Sequence, residues 1–321
     1  MKQLIATIAL ATASVLTHAA SVTFPQKPVT AVVPFPAGGS SDMVARIVGP
    51  IASQKLGQPF VIENRPGATG AIGATLVKNA KPDGHTILIA SIGVYAINPY
   101  LQKGLQYDPA RDFDLLTVAV RAPNVLVVIP AMPAKNVQEF ASFLKKMPGK
   151  VTFASSGAGS SDHLTAALFW QRTGTKGLHV PYKGGAPAVA DLLGGHADAS
   201  FQNINAILPH VEAGKLKALG ITSEKRSPAL SQVPTMAEGG VKDVEVYSWQ
   251  AAAAPKGLPK EVKSALHSAI IAALNDPQNA QRMVALGFEV TASTPEQFEA
   301  FLAKELARWK AVIVTGKISL E

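Results

Sequence analysis

The sequence contains no cysteine and few charged or aromatic residues, and these shortages exclude several classes of protein. Without a Cys among its 321 residues, the chain has no thiolate nucleophile, no Cys-ligated metal or iron–sulfur cluster and no disulfide. Charged residues make up 16% of the chain and aromatic residues 6%. The net charge is +8, but the longest basic runs are Lys145-Lys146 and Lys225-Arg226. Basic residues scattered in this way form a solvated surface and exclude a nucleic-acid-binding stripe.

The motifs of several common enzyme classes are also missing. The chain has no phosphate-binding P-loop, no H-E-x-x-H zinc motif, no G-x-G-x-x-G dinucleotide motif and no G-x-S-x-G nucleophile elbow. We therefore expect no enzyme activity, no cofactor and no metal site. The hydrophobic fraction of 47% nevertheless permits a large buried core, which excludes a disordered chain.

Residues 1–20 have the pattern of a secretory signal peptide. Lys2 provides a positive start, Leu4 to Leu16 form an apolar run, and Thr17-His18-Ala19 form a cleavage site. The apolar run is shorter than the roughly 20 residues that span a bilayer, which argues against a membrane anchor. We expect export to the periplasm and a mature chain that begins near Ala20.

Strand and helix patterns alternate along the rest of the chain. From Val29 to Ala90 the order is strand, helix, strand, helix, strand, which predicts a parallel sheet. Two apolar strands follow, Leu115 to Val120 and Asn124 to Pro130, with no room for a helix between them. We interpret this stretch as a crossing between domains, because a second series of strands and helices then begins.

The C-terminal part of the sequence predicts a return to the first domain. A long strand, Val244 to Ala254, precedes three helices that are too many to cover the second sheet alone. This predicts an α/β protein with two lobes, a ligand cleft between them and two crossover strands. Lobe one would comprise residues 21–122 and 250–321, and lobe two residues 123–249.

The most informative feature is a repeated loop. Gly-Ser-Ser-Asp occurs at 39–42 and again at 159–162, each time where a strand ends and a helix begins. This edge of an α/β sheet holds ligands, and the N–H groups of a helix N-terminus attract anions. Two such loops predict a carboxylate site, although Gly-rich turns with a Ser or Asp cap are also ordinary turn chemistry. The candidate ligand residues of the two loops are Ala37, Gly38, Gly39, Ser40, Ser41, Asp42, Ser155, Ser156, Gly159, Ser160 and His163.

Other strand ends contribute weaker candidates. Asn64 and Ser91 end the second and third strands, and this position alone makes them candidate ligand residues. Tyr182 offers a hydroxyl or a flat wall, and Asp198 either bonds a ligand donor or caps a turn. Trp249 lies at the predicted return crossover, where it either reports closure of the lobes or packs in the core.

The residues alone leave three functions open. The first is a carboxylate-binding receptor for a membrane transporter. The second is a secreted hydrolase that uses a loop serine with His163. The third is a subunit that presents its ligand to a sensor kinase.

Several short motifs occur in a fixed order along the mature chain. They are Lys27-Pro28-Val29, the run Pro34 to Asp42, Glu63 to Gly67, Lys81 to His85, Asn98-Pro99, Val180 to Gly185 and Ala213 to Leu216. In this order they resemble the Bug (Bordetella uptake gene) family of extracytoplasmic solute receptors, which serve tripartite tricarboxylate transporters.

The resemblance implies a type II periplasmic-binding-protein fold that closes on a small carboxylated solute without chemistry. The solute would be a mono- or dicarboxylate, including aromatic acids and amino acids, and the partners would be the membrane components of the transporter. In such receptors the ligand carboxylate is held mainly by N–H and hydroxyl groups, here those of residues 37–42 and 155–163. A receptor that closes in this way functions as a monomer, and we expect one here.

Two departures from the family pattern concern the far wall of the pocket. Ser248-Trp249-Gln250 stand where many relatives have a Tyr-Gly pair, and residues 197–203 replace a more apolar run. We therefore expect the distal part of the pocket to differ from that of relatives.

Overall fold

The computed structural model describes residues 24–319, which form an α/β protein. The predicted signal peptide, residues 1–20, lies outside the described residues. The strands are β1 (Val29–Val33), β2 (Phe60–Asn64), β3 (Thr86–Ser91), β4 (Phe113–Val128), β5 (Thr152–Ser155), β6 (Leu178–Pro181), β7 (Ala199–Asn203), β8 (Lys217–Ile221), β9 (Tyr247–Pro255) and β10 (Glu289–Val290). The helices are α1 (Ser40–Leu56), α2 (Ala71–Lys78), α3 (Asn98–Leu101), α4 (Val137–Lys146), α5 (Ser161–Thr173), α6 (Gly185–Leu193), α7 (Ile204–Glu212), α8 (Lys260–Leu274), α9 (Pro277–Ala285) and α10 (Pro295–Gly316).

The strands form one mixed sheet in the order β2-β1-β3-β9-β4-β7-β5-β6, with β8 and β10 also paired to β4. At one end β1, β2 and β3 are parallel, and at the other end β5 is parallel to β6 and to β7. The two long strands β4 and β9 lie antiparallel between these groups. The predicted α/β fold with two series of parallel strands is therefore confirmed.

The long strand β4 differs from the prediction. Two strands with a break were expected between 115 and 130, but β4 continues through this region without interruption, so that prediction is wrong. Up to Pro123 the strand pairs with β9, and from Asn124 it pairs with β7. Proline has no N–H group to donate to a neighbouring strand. Strand β4 can include Pro123 because its pairing partner changes at this residue.

The C-terminal helices pack on both series of elements. Helix α8 packs on α1. Helix α10 begins with a capping box formed by Thr294 and Gln297 and extends to Gly316. It contacts the π-helical turn Gly93–Ile97, β4 and also α5. None of the helices within residues 24–319 has the length and apolar character needed to cross a bilayer.

Candidate functional site

A cavity of about 490 Å³ lies where the carboxyl ends of β1, β3, β5 and β7 meet the N-termini of several helices. Helix N-termini present N–H groups and the positive end of the helix dipole, so their convergence favours an anionic ligand. The predicted site residues that line the cavity are Ala37, Gly38, Gly39, Ser40, Ser41, Ser91, Ser156 and Ser160.

The first repeated loop leaves the N-terminus of α1 open to the cavity. Gly39 is the N-cap, and no side chain of the described residues caps this helix end. Gly38 has a φ of +83°, a left-handed conformation that glycine adopts without strain. The first helical hydrogen bond runs from Met43 N to Gly39 O, so the N–H groups of residues 40–42 precede the helical hydrogen-bond pattern. Ser40 and Ser41 of this turn line the cavity.

Asp42 holds this loop together through its carboxylate and does not line the cavity. Its carboxylate accepts hydrogen bonds from Gly38 N at 2.9 Å, Arg46 Nε at 2.8 Å and Asn64 Nδ2 at 3.0 Å. Burial tends to raise the pKa of Asp42, but these donors outweigh it and lower that pKa. Asn64 also donates to Phe35 O. Neither Asp42 nor Asn64 is among the lining residues, so both hold the loop in shape.

The second repeated loop is bonded mainly to itself. Ser160 caps α5, its hydroxyl donates to Gly157 O at 2.5 Å, and Gly159 N donates to His163 Nδ1 at 3.1 Å. The N–H that Gly159 was expected to offer to a ligand therefore already has an acceptor. The two loops share a sequence, but only the first leaves a helix end without a side-chain cap.

Asp162 of the second loop is the counterpart of Asp42 in a different environment. Its Oδ2 accepts from Ser156 N and Ser156 Oγ at 2.7 Å each and from Gln202 Nε2 at 3.0 Å. No Arg or Lys pairs with it within residues 24–319. Burial therefore raises the pKa of Asp162, and the hydrogen bonds from Ser156 only partly offset this.

His163 and Ser155 lie behind the second loop and do not line the cavity. The rings of His163 and His179 stack with centroids 3.8 Å apart, and Ser155 Oγ lies 2.6 Å from His179 Nε2. Burial, together with the neighbouring His179, lowers the pKa of His163 to about 3, and burial lowers the pKa of His179 to about 4. The Ser160 hydroxyl accepts from the backbone N–H of His163 at 3.4 Å and donates to Gly157 O, and among the described contacts it makes no hydrogen bond to the imidazole ring. The pair of a loop serine with the imidazole of His163, which the hydrolase hypothesis requires, is therefore not formed among the described residues. Ser155 contacts the imidazole of His179 instead, and neither of these two residues lines the cavity.

Tyr182 and Asp198 make structural contacts instead of lining the cavity. The Tyr182 hydroxyl donates to Asp191 at 2.5 Å, and this bond, with burial, raises the pKa of Tyr182 to about 12. The Asp198 carboxylate accepts from Thr152 N and Thr152 Oγ1 at 2.7 Å each. Asp198 precedes the amino end of β7, whereas the cavity lies at its carboxyl end.

Two further helix N-termini reach the cavity, and their first residues were not among the predicted site residues. Helix α6 begins after Gly184, which has a φ of +120°, and α7 begins after Asn203. No side chain of the described residues caps either helix. The Gly184-Gly185 pair at the start of α6 resembles the Gly38-Gly39 pair that precedes α1. This similarity is the sequence signal that could have identified the N-terminus of α6 as part of the site.

The cavity has an apolar wall and an uncharged polar floor. The wall is formed mainly by α6, and the floor by Ser91 of β3 with Ser248 and Gln250 of β9. Trp249 lies between these two floor residues but faces the core, where it packs on Tyr95. The apolar lining residues of the helices include Met43, Ala186, Val189, Ala190, Leu193 and Ala206.

The cavity lining carries little formal charge. Of the described residues that line it, Asp162 is the one acidic residue, His210 is the one histidine, and neither Lys nor Arg is present. A bound anion would therefore be neutralised by helix N-termini and hydroxyls instead of by a cationic side chain.

Hydrogen bonds join the two sides of the cavity. Ser40 Oγ lies 3.1 Å from Asn203 Oδ1 and accepts from Asn205 Nδ2 at 3.1 Å. Thr69 Oγ1 donates to Ala158 O at 3.1 Å. The start of α1 is thus linked to the start of α7, and the loop before α2 is linked to the loop before α5.

These features define a binding protein of the periplasmic type, in which a cleft between two α/β halves encloses a solute. The family model "Tripartite tricarboxylate transporter family receptor" (TctC) matches residues 44–318, and the chain belongs to this family. The predicted resemblance to Bug receptors is confirmed. The hydrolase and the sensor subunit find no support in the site or in these similarities.

Named relatives extend over nearly the whole chain. Protein BugT of Bordetella pertussis is 36% identical over 316 residues, which cover 98% of this chain and 97% of BugT. The solved periplasmic binding protein BugD is 36% identical with a TM-score of 0.88, covering 93% of this chain and 100% of BugD. The R. palustris protein Rpa4515, solved with adipate, is 36% identical with a TM-score of 0.89, covering 92% of this chain and 99% of that protein.

Proposed function

We propose that this receptor captures a small carboxylate in the periplasm and delivers it to the membrane components of a tripartite tricarboxylate transporter. The observation that carries the proposal is the uncapped N-terminus of α1, which opens into a cavity without a Lys or Arg side chain among its described lining residues. Such a helix end binds an anion through N–H groups and the helix dipole. The adipate bound to Rpa4515 supports a carboxylate as the ligand.

We propose fewer ligand-contacting residues than the sequence predicted. The N–H groups of Gly39, Ser40 and Ser41 hold the carboxylate, and the hydroxyls of Ser91 and Ser156 add donors. Three more predicted residues, Ala37, Gly38 and Ser160, line the cavity but receive no ligand bond in this proposal. The other predicted residues act through the shape of the loops or lie away from the cavity: Asp42, Asn64, Ser155, Gly159, His163, Tyr182 and Asp198.

The division into lobes is also a proposal. Residues 21–122 with 250–321 form lobe one, and residues 123–249 form lobe two. The change of strand partner between Pro123 and Asn124 supports a boundary at this point. The hydrogen bonds of Ser40 to Asn203 and Asn205 then join lobe one to lobe two when the cleft is closed.

Export, oligomeric state and the lack of turnover complete the proposal. Residues 1–20 act as a signal peptide, and the mature protein functions as a monomer that returns its solute unchanged. Mass spectrometry of the exported protein would find an N-terminus near Ala20. Light scattering would give one chain with or without ligand, and NMR of a long incubation would recover all of the ligand.

The experiment that tests the ligand class is calorimetry of the mature protein with matched acids and amides. The pairs are adipate with adipamide and butyrate with butyramide, and neutral sugars complete the panel. We expect at least one acid to bind and its amide to bind at least about tenfold more weakly, because the N–H groups at α1 favour a negative charge. Equal affinity for acid and amide, or binding of sugars alone, would overturn the proposal.

A further inference from the structure

Gln250 is a buried amide on the floor of the cavity. Its side chain belongs to β9, lines the cavity and has a residue exposure of 1%. The amide nitrogen Nε2 donates to Ser248 Oγ at 3.3 Å, while Oε1 has no hydrogen-bond partner among the described residues. An unpartnered buried acceptor destabilises a folded protein, so its presence at a cavity points to a missing donor.

The surroundings of Gln250 give it no structural role of its own. The residues of β9 that follow it, Ala251 to Ala254, are buried alanines, so the strand packs without polar side chains beyond this position. An apolar residue at 250 would fit such a strand. The amide is therefore better explained by a bound molecule than by the core.

Two hydroxyls accompany this amide on the floor. Ser91 of β3 lies directly opposite Gln250 in the antiparallel pairing, and Ser248 is two residues away on the same face of β9. All three residues line the cavity. Hydroxyl groups both donate and accept, so with the amide they can satisfy a ligand group of either kind.

The chemistry of the floor selects an uncharged group. The three floor side chains are uncharged and belong to strands, so, unlike the N-terminus of α1, they offer no positive charge to a second carboxylate, and no Lys or Arg is present among the described lining residues. Asp162 is the one carboxylate of the lining, and its Oδ2 already accepts from Ser156 and Gln202, which leaves little capacity for a ligand ammonium. A hydroxyl needs no counter-charge and donates to an unpartnered oxygen.

We propose that Gln250, Ser248 and Ser91 form a subsite that binds a hydroxyl group on the solute. The inference rests on the proposed function, in which the carboxylate of that solute lies at the N-terminus of α1. The preferred solutes are then hydroxylated carboxylic acids, and Gln250 determines the preference over the corresponding acids without a hydroxyl.

The test compares acids that differ by one hydroxyl in the wild-type protein and in variants. The pairs are malate with succinate, 3-hydroxybutyrate with butyrate and 4-hydroxybenzoate with benzoate, measured by calorimetry. Gln250→Met keeps the length of the side chain and removes the amide, and Ser248→Ala removes the partner of that amide. Gln54→Leu, at an exposed position of α1, controls for loss of a glutamine elsewhere.

In the wild type we expect at least one hydroxylated acid to bind about tenfold or more tightly than its partner, the effect of one buried hydrogen bond. Gln250→Met should reduce this ratio to about threefold or less and leave the affinity for the acid without hydroxyl nearly unchanged. Ser248→Ala should reduce the ratio in the same direction, and Gln54→Leu should not change it.

Three outcomes would overturn the inference, and they can be told apart from a failure of the proposed function. Binding of acids with no preference for the hydroxylated member would overturn the inference alone. Equal losses for both members of a pair in Gln250→Met would do the same, because a general disturbance of the cavity would explain them. Absence of binding by every acid would overturn the proposed function and the subsite with it.

Discussion

The carboxylates of Asp42 and Asp162 occupy the same place in two copies of one loop but have opposite electrostatic surroundings. Asp42 accepts from Gly38 N and from Arg46, whereas Asp162 accepts from Ser156 and Gln202 and has no cationic partner among the described residues. Burial tends to raise the pKa of both carboxyl groups. At Asp42 the hydrogen bonds and Arg46 outweigh burial and the pKa is lowered, whereas at Asp162 burial prevails and the pKa is raised. The aspartate of the motif is thus ionised more readily in the first loop than in the second.

The first prediction concerns Asp42→Asn. The amide has one acceptor oxygen in place of two, so the bonds from Gly38, Asn64 and Arg46 cannot all remain. We expect a loss of about 1–3 kcal/mol in the free energy of unfolding at pH 7, measured by urea denaturation. Because the pKa of Asp42 is lowered on folding, its stabilisation is present above the unfolded value of about 4 and disappears as the pH falls through the folded value. The difference between variant and wild type should therefore shrink in acid.

Asp162→Asn is the matched control for this pH dependence. The pKa of Asp162 is raised on folding, so its effect on the pH dependence of stability is opposite to that of Asp42. The folded chain binds the proton more readily than the unfolded chain and gains stability as the pH falls. Removing Asp162 should make the loss of stability in acid steeper, while removing Asp42 should make it shallower. Parallel profiles for the two variants would contradict the different environments of the two carboxylates.

The second prediction separates the backbone of α1 from its side chains. Ser40 is the first residue of the helix, and its N–H makes no hydrogen bond within the helix. Proline, which lacks an N–H, is therefore tolerated at this position. Ser40→Pro removes the N–H and the hydroxyl, and Ser40→Ala removes the hydroxyl alone. We expect Ser40→Pro to bind a carboxylate at least about tenfold more weakly than Ser40→Ala, with similar thermal unfolding of the two ligand-free variants. Equal affinities in calorimetry would show that this N–H does not hold the ligand.

The first loop and the sheet could be predicted from the sequence because their signals are local. Apolar β-branched residues mark β1, and Gly38-Gly39 before a helical pattern marks a helix end without a bulky cap. The carboxyl end of a parallel strand then places the loop at the ligand edge of the sheet. Five neighbouring residues, 37–41, line the cavity for this reason.

The rest of the site depends on contacts between distant residues. Whether Gly159 N is free depends on the ring of His163, and whether Tyr182 faces a ligand depends on Asp191. Gln250 and Ser91 meet only because β9 pairs with β3 across almost half of the chain. Strand direction alone, however, would have placed Asp198 at the amino end of β7, away from the cavity.

The third prediction concerns the pH dependence of stability near the second loop. The pKa of His163 falls to about 3 on folding, so the folded chain resists protonation that the unfolded chain accepts below about 6.5. The unfolded state then binds more protons, and stability decreases as the pH falls from about 6.5 toward 3, by up to about 1.4 kcal/mol per pH unit.

His163→Asn should reduce that slope, because asparagine does not titrate and its oxygen can replace Nδ1 as the acceptor of Gly159 N. Denaturation by urea at pH 7, 6 and 5 measures the slope. His196→Asn, at an exposed position, is the control and should keep the wild-type slope. An unchanged slope in His163→Asn would show that this ring is protonated in the folded protein, contrary to its burial.

The last prediction assigns Trp249 to the core and not to the ligand. Its ring stacks on Tyr95 with centroids 5.7 Å apart, and its Nε1 donates to Glu305 at 2.9 Å, on the opposite face of β9 from Ser248 and Gln250. Trp249→Phe keeps an aromatic ring and loses the bond to Glu305. We expect a loss of about 1–2 kcal/mol in the free energy of unfolding and less than about a threefold change in ligand affinity. A variant with wild-type stability and strongly reduced affinity would place the indole in the binding site, and fluorescence of Trp249 would then report closure of the lobes.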